Sequence, residues 1–170
     1  MNKVFGKEED FSLVRKDEVS RIAVSYEPSE VDENGNRTWY EVYFYRNKIS
    51  MPNIEQLKRA IWDDINQQTD EKILSDFVWK DMPIWLSTEN QFNYKAAFDL
   101  AMMTEGSNLP VTFKFGTDDS PIYYEFTEIS DLQNFYISAM SYINTCLSEG
   151  WGRKDNIDWE KYEKALEDNL

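Results

Sequence analysis

The chain contains no histidine. That absence removes the commonest general base, the commonest metal ligand and every serine or cysteine triad that depends on imidazole. Cysteine occurs once, at Cys146, so no internal disulfide can form and an oxidising compartment offers the fold nothing. Six glycines, Gly6, Gly35, Gly106, Gly116, Gly150 and Gly152, are scattered and fall in neither a Walker nor a dinucleotide-binding spacing, which argues against nucleotide chemistry. Apolar runs such as Val42–Tyr45 are short, whereas a membrane-spanning helix needs roughly 20 such residues. Residues 1–10 hold Lys3 and Lys7 but then Glu8, Glu9 and Asp10, with no apolar stretch and no small-residue cleavage site. The expectation is a protein made and folded in a cytoplasm. Bases are scarce as well: 18 Lys and Arg stand against 32 Asp and Glu, for a formal charge of -14 at pH 7. Such a surface repels nucleic-acid phosphates and anionic lipid, so neither nucleic acid nor membrane is an expected partner.

What the chain does have is apolar and aromatic substance. Hydrophobic residues make up 41% and aromatics 15% of its 170 residues, too much for a disordered acidic chain, so the charge rides on a folded body. A chain of this length suits one domain, or one domain with a small appendage, and buries roughly 70% of its extended surface. The charge is uneven: residues 1–50 carry 10 acids and 8 bases, and residues 51–170 carry 22 acids and 10 bases.

Arg21–Glu27 and Thr38–Arg46 read as strands, with Asn34-Gly35 between them as a hairpin signal. Alternation in the second puts Trp39, Glu41, Tyr43 and Tyr45 on one face and Tyr40, Val42, Phe44 and Arg46 on the other. Ser50-Met51-Pro52 opens a helix carrying Ile54, Leu57, Ile61 and Ile65 and running to about Gln68. A second hairpin, Ser75–Trp79 and Pro83–Leu86, turns at Lys80-Asp81-Met82. Thr88-x-x-Gln91 has the form of a capping box for a helix over Glu89–Thr104. Leu109–Phe115 and Ile122–Phe126 form a third hairpin across Gly116–Pro121. Ser130-x-x-Gln133 then opens a helix with Leu132, Phe135, Ala139, Ile143, Cys146 and Leu147 in one stripe, stopped by Gly150 and Gly152. Residues 155–170 hold Trp159, Tyr162 and Leu166 on a short acidic amphipathic helix that docks either on its own body or on a partner. The fold class is α+β: antiparallel β-hairpins alternating with three helices packed on one side, plus a short C-terminal helix. The expected divisions are 1–69, an N-terminal hairpin and helix; 70–152, a more regular α+β body; and 153–170, an acidic docking segment.

Chemistry is sparse. Cys146, on the apolar stripe, reads as a packing thiol and not a nucleophile. Paired carboxylates could serve a glycosidase, but Asp118-Asp119 reads as turn chemistry and Asp63-Asp64 as a solvated helix face. Asp32-x-Asn34-x-Asn36 resembles the start of a calcium loop, yet Gly35 falls one place early and Tyr43 stands where the closing glutamate belongs. No cofactor or metal is called for. Among the tryptophans, Trp79 and Trp85 read as core, while Trp151 and Trp159, together with Tyr162 and Leu166, are the interface candidates.

Phe77-Val78-Trp79, the run Ile84–Lys95 with its Trp-Leu-Ser-x-Glu-Asn-x-x-Asn-Tyr core, Leu109–Gly116 and a helix ending at Gly150-Trp151 together resemble a domain of tailed phages and prophages found near tail-fibre and other virion genes. The resemblance covers about residues 70–155 and brings no activity with it. Its core also has a plain structural reading, in which Trp85 and Leu86 end a strand, Thr88 caps a helix, and Asn90, Asn93 and Tyr94 bond loop backbone at the joint. What it implies is context, a phage-encoded protein that packs into a particle or a tail-fibre assembly. With a catalytically empty, aromatic composition beside it, the expectation is a non-enzymatic virion component, an adaptor or decoration of the tail or head-fibre region that binds other virion proteins in an oligomeric assembly. Two alternatives come from other classes. One is an acidic anti-defence inhibitor mimicking DNA, and the other a carbohydrate-binding module working through Trp151 or Trp79.

Overall fold

A computed structural model describes residues 2–16, 21–45 and 51–169. In it the chain gathers into two units, residues 1–68 with 151–170 and residues 69–150, and the fold class is α+β as expected. The residues expected to stand apart as a C-terminal segment, 153–170, fall within the first unit.

Four strands, β1 (Lys3–Lys7), β2 (Val14–Lys16), β3 (Arg21–Tyr26) and β4 (Asn36–Tyr45), form one antiparallel sheet in the order β1-β4-β3-β2. The period-two pattern of β4 sets the two faces. Tyr40, Val42 and Phe44 join Ile22, Val24 and Tyr26 against Leu57, Ile61 and Ile65 of helix α1 (Ile54–Ser75). Trp39, Glu41 and Tyr43 lie on the other face, where their polar atoms meet one another. Arg46 lies outside the described residues. Strands β1 and β2 went unrecognised in the sequence because both are short and charged, which is how edge strands avoid further pairing. The loop into β4 is pinned by Asp32, whose Oδ1 accepts from the backbone of Asn34 at 2.9 Å and Asn36 at 2.8 Å. Those bonds hold its carboxyl below the usual range, and Gly35 takes a φ of 75°. The calcium-like spelling is thus turn chemistry.

Helix α1 begins with a reciprocal cap rather than with Pro52: Asn53 Oδ1 accepts from Gln56 N at 2.9 Å while Gln56 Oε1 accepts from Asn53 N at 3.0 Å. Ser50 lies outside the described residues. The helix also overruns its expected end at Gln68, since nothing in Thr69-Asp70-Glu71-Lys72 breaks it. Helix α4 (Trp159–Glu167) closes the first unit, with Tyr162 and Leu166 in the same core as Leu57 and Ile61.

In the second unit, β5 (Phe77–Trp79) and β6 (Met82–Ile84) pair across Lys80-Asp81, both at positive φ. Strands β7 (Val111–Gly116) and β8 (Pro121–Phe126) pair separately. Helices α2 (Thr88–Met103) and α3 (Ile129–Asp155) complete a core in which Trp79, Tyr94, Phe115, Phe126 and Phe135 meet. Gly150 and Gly152 do not stop α3, which runs through both. At Gly150 the reason is close approach: a Cβ there would lie 2.6 Å from Thr69 Oγ1. Cys146 is buried on α3, in the packing role expected of it.

Candidate functional site

The joint between β6 and α2 is built by the stretch Trp85–Tyr94. Ser87, not Thr88, is the helix cap, with its Oγ accepting from Asn90 N at 3.2 Å. Asn90 Nδ2 donates to Trp85 O at 2.8 Å and Gln91 Nε2 to Leu86 O at 2.7 Å. Two side chains of the first helical turn therefore fix the backbone of the preceding dipeptide. The consequence is an alternation across one peptide bond: Leu86 is buried at 1% exposure and Trp85 stands out at 51%. Tyr94, expected to bond the loop, instead packs among Phe113, Phe115 and Phe135, and burial pushes its hydroxyl up to about 12.

Trp85 forms one wall of an open groove of about 550 Å³, with Pro83 and Ile84 beside it and the Lys114–Asp118 turn opposite. That turn is rigid. Gly116 has a φ of 81°, and a Cβ there would lie 2.3 Å from Ser120 O, while Thr117 and Ser120 exchange backbone bonds at 3.2 Å. Lys114 Nζ reaches Asp118 Oδ1 at 3.3 Å, so Asp118-Asp119 does sit in a turn, as expected. The groove thus combines an aromatic wall, the apolar ring of Phe115 and polar groups from Asn90 and Thr117, the make-up of a recognition site. Sequence reasoning placed Trp85 in the core and missed the groove; its outward turn follows from the Asn90 and Gln91 side chains, the one local signal available.

The interface candidates divide. Trp151 is exposed at 58%. Trp159 is half-buried, edge-on to Trp62 at 5.9 Å with the Lys58 ammonium over it at 5.7 Å. Tyr162 and Leu166 are core residues of the first unit, and Tyr162 OH donates to Ser25 O at 2.8 Å; they are not surface anchors. Trp79 is likewise buried, among Tyr124, Phe126 and Phe135, so it cannot be a sugar-stacking platform.

Two polar clusters in the first unit could suggest chemistry. Glu41 accepts from Trp39 Nε1 at 2.9 Å, Tyr43 OH at 2.7 Å and Arg15 Nη2 at 3.3 Å. Burial alone would raise its carboxyl, but these three donors hold it below the ordinary 4.5, so it is held ionised and is no proton donor at neutral pH. The sign follows: its stabilising effect is full above about pH 4.5 and fades as pH falls through the lower folded value. Glu41→Gln should therefore cost about 1–3 kcal/mol at pH 7, and the gap to the parent protein should narrow below pH 4.5, as read from urea midpoints across pH. A gap that stays constant with pH would count against this account.

The second cluster runs Glu27–Arg153–Gln68–Tyr26–Asp64. Arg153 donates to Glu27 at 2.7–3.1 Å and to Gln68 Oε1 at 2.8 Å, Gln68 Nε2 to Tyr26 OH at 2.8 Å, and Tyr26 OH to Asp64 Oδ2 at 2.5 Å. Burial and the Asp64 carboxylate push the Tyr26 hydroxyl far above its usual range, so it is no nucleophile. The cluster ties the end of α3 to β3. It also corrects the expectation for Asp63-Asp64, because only Asp63 is on the exposed face and Asp64 is partly buried. No group of three or more acids or cysteines among the described residues could hold a metal ion, and no helix among them is long and apolar enough to cross a membrane.

A family model described as a domain of unknown function (DUF4376) matches residues 56–169. No curated protein and no solved structure matches the chain.

Proposed function

Because the chain belongs to the DUF4376 family, whose description carries no activity, we propose from its own residues and from the resemblance to a phage domain that the protein is a non-enzymatic phage adaptor. On this reading it is made in the bacterial host cytoplasm, enters the virion at the tail or head-fibre region, and binds neighbouring subunits through the groove walled by Trp85. The observation that carries the reading is convergence. The Ile84–Asn90 stretch and the Lys114–Gly116 stretch, both part of the phage-domain resemblance, line the same groove, and they hold out a half-exposed tryptophan there. An aromatic held out over an open groove is a typical anchor for protein docking.

The resemblance supplies the phage context and the groove supplies the means of attachment. Placing the anchor at Trp85 moves it away from Tyr162 and Leu166, whose burial removes them from that role. The test is mass spectrometry of particles purified from a phage that encodes the chain. The protein is expected in the particle at a fixed ratio to other virion proteins, and its absence from washed particles sinks the reading.

A further inference from the structure

The geometry points to one class of occupant for the Trp85 groove: an extended segment of a neighbouring subunit that brings an arginine onto the Trp85 ring. This inference rests on the docking reading and adds the chemistry of the partner. Charge is the first argument. Residues 69–150 hold 13 acids against four lysines and no arginine. Each of those lysines is already paired within the unit: Lys72 with Glu149, Lys80 with Asp131, Lys95 with Asp99 and Lys114 with Asp118. An anionic occupant would find no cation without a carboxylate partner, and a cationic one finds carboxylates around the mouth. Asp76 adjoins Ser75 of the lining and accepts its hydroxyl at 2.9 Å. Asp118 lines the opposite wall with Asp119 next to it in the chain, and Asp118 accepts from Lys114 at Oδ1, so its second carboxylate oxygen keeps acceptor capacity.

The walls give the second argument. Strands β6 and β7 belong to separate two-stranded sheets and lie close to each other, so the backbone offered to an extended chain is that of Pro83–Trp85 and Lys114–Thr117, which line the groove. Pro83 removes a backbone donor from β6, leaving that wall relatively rich in carbonyl acceptors. Such a wall favours a donor-rich occupant, and arginine carries five N–H donors and no acceptor.

The ring is the third. Tryptophan is the best aromatic partner for a cation, and the same unit already contains one such arrangement. The Lys80 ammonium lies 4.3 Å from the Trp79 ring centroid while donating to Asp131 Oδ1 at 2.7 Å. Trp85, with its outward face and nearby carboxylates, offers an incoming guanidinium the same two kinds of partner.

The experiment titrates short capped peptides of alternating serine with arginine, glutamine or glutamate into the isotope-labelled full chain, followed by amide and indole chemical shifts. The arginine peptide should shift the Trp85 indole and the amides of residues 84–86 and 114–118, and weaken as salt is raised. Trp85→Ala should raise its Kd about tenfold or more, and Trp85→Phe should restore part of that loss. Asp118→Asn combined with Asp119→Asn should weaken binding and flatten the salt dependence, whereas Trp151→Ala should leave it unchanged. Equal binding of the glutamine or glutamate peptide, shifts elsewhere on the surface, no shifts at low salt, or indifference to Trp85→Ala would each overturn the proposal. The two readings fail separately. Particles that incorporate Trp85→Ala normally sink the groove and keep the adaptor, while arginine-peptide binding by a protein absent from particles does the reverse.

Discussion

Phe135→Ala should remove about 3–5 kcal/mol from the unit formed by residues 69–150, enough to threaten its folding. The ring is fully buried on α3 and lies 5.0 Å from Tyr94, 5.1 Å from Trp79, 5.2 Å from Phe115 and 5.5 Å from Phe126, centroid to centroid. Truncation therefore loses the transfer energy of the ring and leaves a cavity walled by four other rigid aromatics, which cannot rotate inward to fill it. Two of the lost contacts are edge-to-face pairs, each worth about 0.5–1.5 kcal/mol beyond area burial. A domain of this size has only about 0.05–0.15 kcal/mol of stability per residue, so one such cavity consumes much of the total. Urea unfolding followed by near-ultraviolet circular dichroism measures the loss, and hydrogen exchange should place it in residues 69–150. Phe92→Ala is the control: that ring is 72% exposed, and its removal should stay within about 0.5 kcal/mol. A loss below about 1 kcal/mol at Phe135 would mean that the aromatic cluster repacks freely, contrary to its density.

Elements whose signal is local were legible. The alternation in β4 assigned both faces correctly at Trp39, Tyr40, Glu41, Val42, Tyr43 and Phe44, because period two needs no tertiary information. The Lys80-Asp81 and Gly116–Pro121 turns were likewise readable from their residues. Helix ends fared worse. Gly150 carries a stop signal in sequence, but its small size serves close approach to Thr69, a contact with a residue far away along the chain. The tryptophans failed for a similar reason. Trp79 and Trp85 both have hydrophobic neighbours in the sequence, yet the first lies within a strand facing Phe126 and Phe135, and the second lies past the end of β6, where Asn90 holds its carbonyl. The groove was out of reach altogether, since its second wall, Lys114–Asp118, is brought up only by tertiary folding.

Removing residues 153–170 should unfold the first unit rather than yield a stable body with a lost docking arm. An amphipathic stripe such as Trp159, Tyr162 and Leu166 looks the same in sequence whether it covers its own core or another molecule's. Here Tyr162 and Leu166 are 5% and 8% exposed, in one core with Ile22, Val24, Leu57 and Ile61. Their burial is worth about 1.5–3 kcal/mol each, and exposing the facing side of the sheet adds to the loss. The Tyr162 hydroxyl also donates to the Ser25 carbonyl at 2.8 Å, a bond worth about 0.5–1.5 kcal/mol net that goes with the segment. Arg153 goes with the same segment, leaving Glu27, at a φ of 49°, without the guanidinium that holds it and Gln68 without a partner for its Oε1. These losses together match or exceed what a unit of this size has to lose. Thermal melts and hydrogen exchange should show protection of β3 and β4 collapsing in the truncated chain. Tyr162→Phe separates the contributions, because it keeps the ring and deletes only the bond to Ser25, for an expected loss of about 1 kcal/mol. A truncated chain that keeps the parent's midpoint and exchange pattern would return the C-terminal helix to the role of an external arm, and Tyr162 with it.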